Sequence, residues 1–235
     1  ANAYIPLLES GHYDAMFQAS YYQDYVSNSR KPLSFMLDMK RSEQYGVSFY
    51  RNFLLQAAPY TSSDRDDTTN GGVLGIEYGL PAEWYLGMHA QYSASDATST
   101  VDERGVKLTA NPYNRFQDSD PTTVTMLGLK RTTYFKTISR ANMRLSKVFN
   151  LAKYFFRFPL SLRREALFVD YNRYELEPFA AGAKDITVNE TVIGLDLDLV
   201  AVSKLPIPVS LQYIYNDNEL LADKESFRVL VAFTF

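Results

Sequence analysis

Phe227-Arg228-Val229-Leu230-Val231-Ala232-Phe233-Thr234-Phe235 is the stretch whose reading decides the fold. Phe227, Val229, Val231, Phe233 and Phe235 are apolar at a spacing of two, and Arg228, Leu230, Ala232 and Thr234 fall between them. Consecutive side chains of a strand point to opposite faces, so this is a strand of about ten residues with one wholly apolar face. That face is rich in aromatics; the other is mixed.

Working outward, the same alternation returns six times. Tyr13, Ala15, Phe17, Ala19 and Tyr21 form one apolar row, and Leu33, Phe35, Leu37 and Met39 another. Tyr45, Val47 and Phe49 give a third, and Trp84, Leu86, Met88, Ala90 and Tyr92 a fourth. Thr191, Ile193, Leu195, Leu197 and Leu199 follow, then Val209, Leu211, Tyr213 and Tyr215. Aromatics often stand at the ends of these rows. The terminal Phe with its alternating apolar partners resembles the last strand of bacterial outer-membrane β-barrel proteins, in which it serves as the assembly signal. The resemblance implies a closed antiparallel transmembrane barrel, with aromatic girdles at the bilayer interfaces. It implies outer-membrane lipid, lipopolysaccharide and the barrel assembly machinery as partners, and a bacterial outer-membrane location. A soluble β-sandwich is the alternative that the terminal strand alone leaves open.

Composition bounds the same question. The 235 residues carry 18 Tyr, 15 Phe and 1 Trp against 11 Gly and 10 Pro. A net charge of −3 gives no basic face for nucleic acid. The absence of cysteine excludes disulfides, thiolate metal sites and cysteine nucleophiles. The longest stretches free of charge, such as 84–95 and 205–216, are too short for a membrane helix, which needs roughly 20 apolar residues. Ala1-Asn2-Ala3-Tyr4 lacks the basic start of a signal peptide, so an exported chain is expected to have lost its targeting segment.

Nine strands are plain in the sequence, at 12–25, 32–40, 45–57, 73–80, 84–95, 122–132, 186–202, 208–216 and 226–235. Residues 1–11 read as a periplasmic extension of a single 1–235 barrel domain. Short connections at 41–44, 80–83 and 204–208 alternate with long polar ones at 58–72, 96–121, 175–185 and 216–225. Short periplasmic turns and long outer loops would alternate in this way. Residues 133–176 are ambiguous. Strands at 138–148, 152–160 and 165–174 bring the total to twelve, whereas a basic amphipathic helix at 139–155 leaves ten. Pro159 argues against the middle strand of the three.

The face opposite the apolar rows carries the candidate chemistry. Asp14, Asp38, Glu77, Asp196 and Asp198 supply acid, Lys40, Lys130, Arg140, Arg144 and Arg228 supply base, and His89 joins them. Buried charges must be paired or hydrated, so these groups either knit a closed polar core or line a narrow channel for small polar solutes. Tyr22, Tyr50 and Tyr85 share that face. The alternatives to a channel are a non-conducting barrel partnered with envelope proteins and a lipid-modifying enzyme. An enzyme would need a base beside a nucleophile, but His89-Ala90-Gln91 places Gln where a His-x-Ser pair would have serine, and His12 has no serine nearby. Asp64, Asp66 and Asp67, or Asp217, Asn218 and Glu219, offer only a weak calcium site without EF-hand spacing. No cofactor is expected. The long 96–121 connection is a candidate plug, lid or adhesive loop.

The alternation makes a direct forecast. The purified chain should require detergent to stay monodisperse and give a strand-dominated far-UV dichroism spectrum. A helix-dominated spectrum, or a monodisperse chain in plain buffer, would contradict it.

Overall fold

The computed structural model describes residues 2–10, 13–21, 33–44, 52–64, 67–98, 104–110, 123–149, 153–154, 160–201 and 205–231. Up to residue 58 it is described here by backbone and register. Six strands come first: β1 (Asn2–Ser10), β2 (Tyr13–Tyr21), β3 (Leu33–Gln44), β4 (Asn52–Asp64), β5 (Asp67–Leu80) and β6 (Trp84–Ser95). Three short ones follow, β7 (Val106–Thr109), β8 (Thr123–Thr125) and β9 (Thr133–Phe135). The rest are β10 (Thr137–Val148), β11 (Lys153–Tyr154), β12 (Leu160–Glu177), β13 (Ile186–Ala201), β14 (Leu205–Asn216) and β15 (Glu225–Val231). The described residues are almost entirely strand and turn.

One large sheet holds β1-β2-β3-β4-β5-β6-β10-β12-β13-β14-β15 in that order. Every pairing along it is antiparallel. β11 pairs Lys153 with Leu162 on the edge of β12 that β10 occupies further along, where Val148 faces Ala166. β10 and β11 therefore act as one interrupted strand. β7, β8 and β9 make a separate small sheet in which β7 is central, parallel to β8 and antiparallel to β9.

Several sequence expectations change. Residues 2–10 are a strand paired with β2, not an extension. Residues 58–72 are not a long loop, because β4 and β5 continue until Asp64 faces Asp67. Residues 139–148 are strand and not helix, and β12 begins at Leu160, just past Pro159. Of 152–159 only Lys153–Tyr154 is described, and the rest of the return strand expected at 152–160 lies outside the described residues. Residues 122–132 do not join the large sheet: β8 is short and belongs to the small one. Phe233 and Phe235 lie outside the described residues, as do His12, Tyr22 and Tyr50.

The connections alternate between the two ends of the sheet. Pro81–Glu83 and the link from β13 to β14 lie at one, called the turn end. The connections after β6, β12 and β14 lie at the other, the loop end. Ala82 and Glu83 take positive φ, 58° and 60°, to reverse the chain within three residues.

The two faces of the sheet differ sharply. Register aligns Ile76, Met88, Met143 and Tyr171 in one row across β5, β6, β10 and β12. The next row toward the turn end runs Tyr78, Leu86, Leu145, Val169, Ile193, Tyr213 and Phe227. The large apolar side chains exposed on these rows include Met88, Met143, Tyr171, Val169, Ile193 and Phe227, the last with 66% of its surface free. On this bare face Val229 and Val231 are exposed as well. The opposite face is covered between β6 and β15 by the segment that links β6 to β10.

Candidate functional site

That linking segment folds as a cap on the loop-end half of the covered face. Val106, Leu108, Val124, Met126, Leu129 and Phe135 of the cap pack with Ile138, Tyr174, Leu176, Val188 and Ala222, all of them buried. A smaller cluster joins Phe168, Val192 and Ile214, with Leu127 against it. Burying an apolar side chain is worth about 1.5–3 kcal/mol, so six from the cap give an upper bound of about 9–18 kcal/mol. A device that opens and closes turns on only a few kcal/mol. Opening the cap would expose these six side chains at a cost of up to that bound, so the apolar seat favours the closed arrangement.

Wall side chains grip the main chain of the cap. Tyr174 Oη lies 2.9 Å from the Thr125 carbonyl, Gln91 Nε2 donates to the Thr123 carbonyl at 3.4 Å, and Arg228 Nη1 donates to the Ala110 carbonyl at 3.1 Å. The Gly128 amide donates to Glu190 Oε2 at 3.1 Å. Glu190 is fully buried on β13, and its Oε1 also accepts from Asn172 Nδ2 at 3.2 Å. The same oxygen lies 3.2 Å from Tyr174 Oη, whose single proton it shares with Thr125. Asn172 Oδ1 accepts from Arg140 Nη2 at 2.8 Å and from Asn142 Nδ2 at 2.9 Å, and the Arg140 guanidinium stands 5.5 Å from the centre of the Tyr174 ring.

Toward the turn end the covered face turns from apolar to charged. Arg144 reaches Asp196 Oδ2 with Nη2 at 3.0 Å and Asp170 Oδ2 with Nη1 at 3.5 Å, and its guanidinium lies 3.9 Å from the centre of the Phe168 ring. Cation–π contact and two carboxylates together hold it in one place. Phe168 in turn fits over Gly194, its cross-strand partner, where an added Cβ would come within 2.2 Å of the ring. Ser210 Oγ donates to the other Asp196 oxygen at 2.5 Å. His89 Nε2 sits 3.5 Å from Glu77 Oε1 on the neighbouring strands. Asp198 stands opposite Arg164 on one side and Pro208 on the other.

Glu77, His89, Arg140, Arg144, Asp196 and Arg228 thus share the covered face. Lys130 does not: it lies in the cap at the rim and donates from Nζ to the Glu219 carbonyl at 2.5 Å. The alternation around it belongs to β8, not to a strand of the wall. Register sets Asp14 opposite Lys40 and Met16 opposite Asp38, and the side chains of Asp14, Asp38 and Lys40 lie outside the described residues. Tyr85 bonds Glu83 at the turn end, at 3.1 Å. Among the described residues no group of three or more His, Cys, Asp or Glu could hold a metal. Asp217 accepts from the Asn189 amide at 2.8 Å and from its side chain at 2.6 Å, as a turn carboxylate would. On the loop-end rim, Lys136 lies 2.8 Å from Glu177, and this bond, with one from Thr137, holds the Glu177 carboxyl below the ordinary range.

Sequence reasoning missed Glu190, Asn172, Asp170 and Tyr174. Parity was the available signal, since Glu190 is six residues before Asp196 and shares its face. No family model, curated protein or solved structure matches the chain.

Glu190 gives the site its first test. Glu190→Leu removes the acceptor for the Gly128 amide and Asn172, each of which costs about 1–3 kcal/mol when buried without a partner. Glu190→Gln keeps an acceptor. Amide exchange over Val106–Thr109, read by mass spectrometry, should accelerate strongly in the Leu variant and far less in the Gln variant. Equal exchange in both would contradict the seat.

Proposed function

We propose that the large sheet closes into a transmembrane barrel of a bacterial outer membrane, and that the barrel is a narrow channel for small polar solutes. The observation that carries this is the contrast between the two faces. Soluble proteins rarely expose a contiguous apolar patch above a few hundred Å², whereas the bare face runs across β5, β6, β10, β12, β13, β14 and β15. Along β13 the apolar row from Ile193 to Leu199 spans about 20 Å at strand rise, and Thr191 extends it. With the neighbouring rows it approaches the height of a membrane band. Lipid satisfies that face, and closure satisfies the edges, because hydrocarbon tolerates no open sheet edge.

Ten antiparallel steps separate β1 from β15, so these two edge strands run in the same direction. A seam made directly between them is parallel; a further strand between them would make every step antiparallel and the total even. The turn end then faces the periplasm and the loop end the exterior. The cap narrows the outer half of the lumen by occupying the wall from β6 to β15. Solutes pass between it and the wall of β1–β5, then meet the charged belt around Arg144. The dry seat of the cap favours one rival, a non-conducting barrel whose loops bind an envelope partner.

Two measurements test this. Val229→Arg should destabilise the folded, lipid-embedded chain by up to about 2–4 kcal/mol, whereas Leu220→Arg, in an exposed loop, should change little. Equal tolerance would contradict a lipid-facing β15. Planar bilayers should show small, steady conductance steps. Leu129 and Ala222 pair across an isolated bridge, and the chain has no native cysteine, so Leu129→Cys with Ala222→Cys ties the cap to the connection between β14 and β15. Conductance should be unchanged by that tether, because the cap narrows and does not gate. Silent bilayers would favour the structural rival.

A further inference from the structure

The sequence offers the covered face nearly balanced charge, yet the structure distributes it unevenly. Three of the five basic residues assigned to the lumen are drawn off by the cap. Lys130 is on its rim, bonded to the Glu219 carbonyl. Arg228 is spent on the Ala110 carbonyl. Arg140 is bonded to Asn172 and lies over Tyr174 in the network that holds Glu190. The carboxylates are left nearer the turn end. The Glu77 side chain keeps 56% of its surface and that of Asp196 34%, and Asp170, absent from the sequence expectation, joins them. Arg144 is the guanidinium set among them, already shared between two carboxylates.

We infer that the solute path below the cap is cation-selective, with Asp196, Asp170 and Glu77 as its selectivity groups, and that its natural solutes are small organic cations such as amines and guanidines. This rests on the channel reading above and names its substrate class. A guanidinium is already accommodated there: Arg144 lies between two carboxylates and against the face of Phe168. A soluble cation entering from the turn end meets Asp196 and Glu77 at their exposed edges, with Asp170 behind them. Glu77, Arg144 and Asp170 share one register row across β5, β6, β10 and β12, while Asp196 lies further toward the turn end and Asp198 faces Arg164 beyond it. Four carboxylates against two guanidinium groups leave this stretch acidic, which disfavours an anion, as rings of acidic side chains do in cation channels.

The test is the reversal potential in a potassium chloride gradient across a planar bilayer. The unmodified chain should favour potassium over chloride. One unit charge acting through water at about 6 Å changes the local counter-ion concentration about threefold. Asp196→Asn and, separately, Glu77→Gln should therefore each lower the cation preference by about that factor. Glu77 is the more exposed of the two, so its variant keeps the test intact if loss of Asp196 prevents folding. Arg144→Ala should raise the preference, and guanidinium chloride should then block it at lower concentration. Arg173→Gln, on the bare face, should leave selectivity where it was. Conducting steps with chloride preference, or with no response to Asp196→Asn and Glu77→Gln, overturn this inference alone. Bilayers that stay silent overturn the channel reading and this inference with it.

Discussion

A strand sends successive side chains to opposite faces, and the rest of this structure depends on that constraint. Once Ile193, Leu195 and Leu197 are placed on one face of β13, Glu190, Asp196 and Asp198 must occupy the other. A slip of one residue would exchange the two sets completely. Antiparallel pairing carries the rule from strand to strand, so Leu195 meets Leu167 and Leu211 while Asp196 meets Ala166 and Ser210. An apolar face and a charged face follow from the same ladders.

The charged face is stable only because its groups are answered locally. Glu190 is enclosed by Gly128, Asn172 and Tyr174, and Arg144 by Asp170, Asp196 and Phe168. Buried ions gain little over an apolar replacement, but removing one partner is costly. That asymmetry ties the cap, the seat and the belt into one unit. Gly194 belongs to it as well, since the flat approach of Phe168 that supports Arg144 needs a residue without Cβ across the ladder.

Much of the sheet was legible in the sequence, and the exceptions have physical reasons. β6, β13, β14 and β15 alternate cleanly because one face is apolar along most of their length. β1 does not, because Pro6 and a register shift between Pro6 and Leu8 break the period of two. The ends of β4 and β5 are rich in Thr, Ser and Asp and imitate a loop, although their backbones stay paired as far as Asp64 and Asp67. Pro159 argued against a ladder strand over 152–160, most of which lies outside the described residues, and β12 starts at Leu160. The cap reads as a long connection over 96–121 and, wrongly, as a strand of the large sheet over 122–132. Its strands are three or four residues long and both faces of β7 and β8 are covered, so little periodicity marks them. Residues of the site on clear strands, such as Glu77, Arg144 and Asp196, could be assigned by parity. Glu190 and Asp170 lay within the same rule, but their partners come from the cap and from neighbouring strands that parity alone does not pair.

The most direct measurement uses the absence of native cysteine. Single cysteines placed at 191–193 and 195–198 on β13 would carry a spin label, with the chain folded in lipid vesicles, and Gly194 stays in place because it admits no Cβ. Labels at Thr191, Ile193, Leu195 and Leu197 should be relaxed by oxygen dissolved in the bilayer. Labels at Val192, Asp196 and Asp198 should be shielded from it, with those at Asp196 and Asp198 reached by a water-soluble relaxant. A period of two with that phase is the predicted result. A flat profile, or the opposite phase, would contradict a sheet with lipid on one face and a polar lumen on the other.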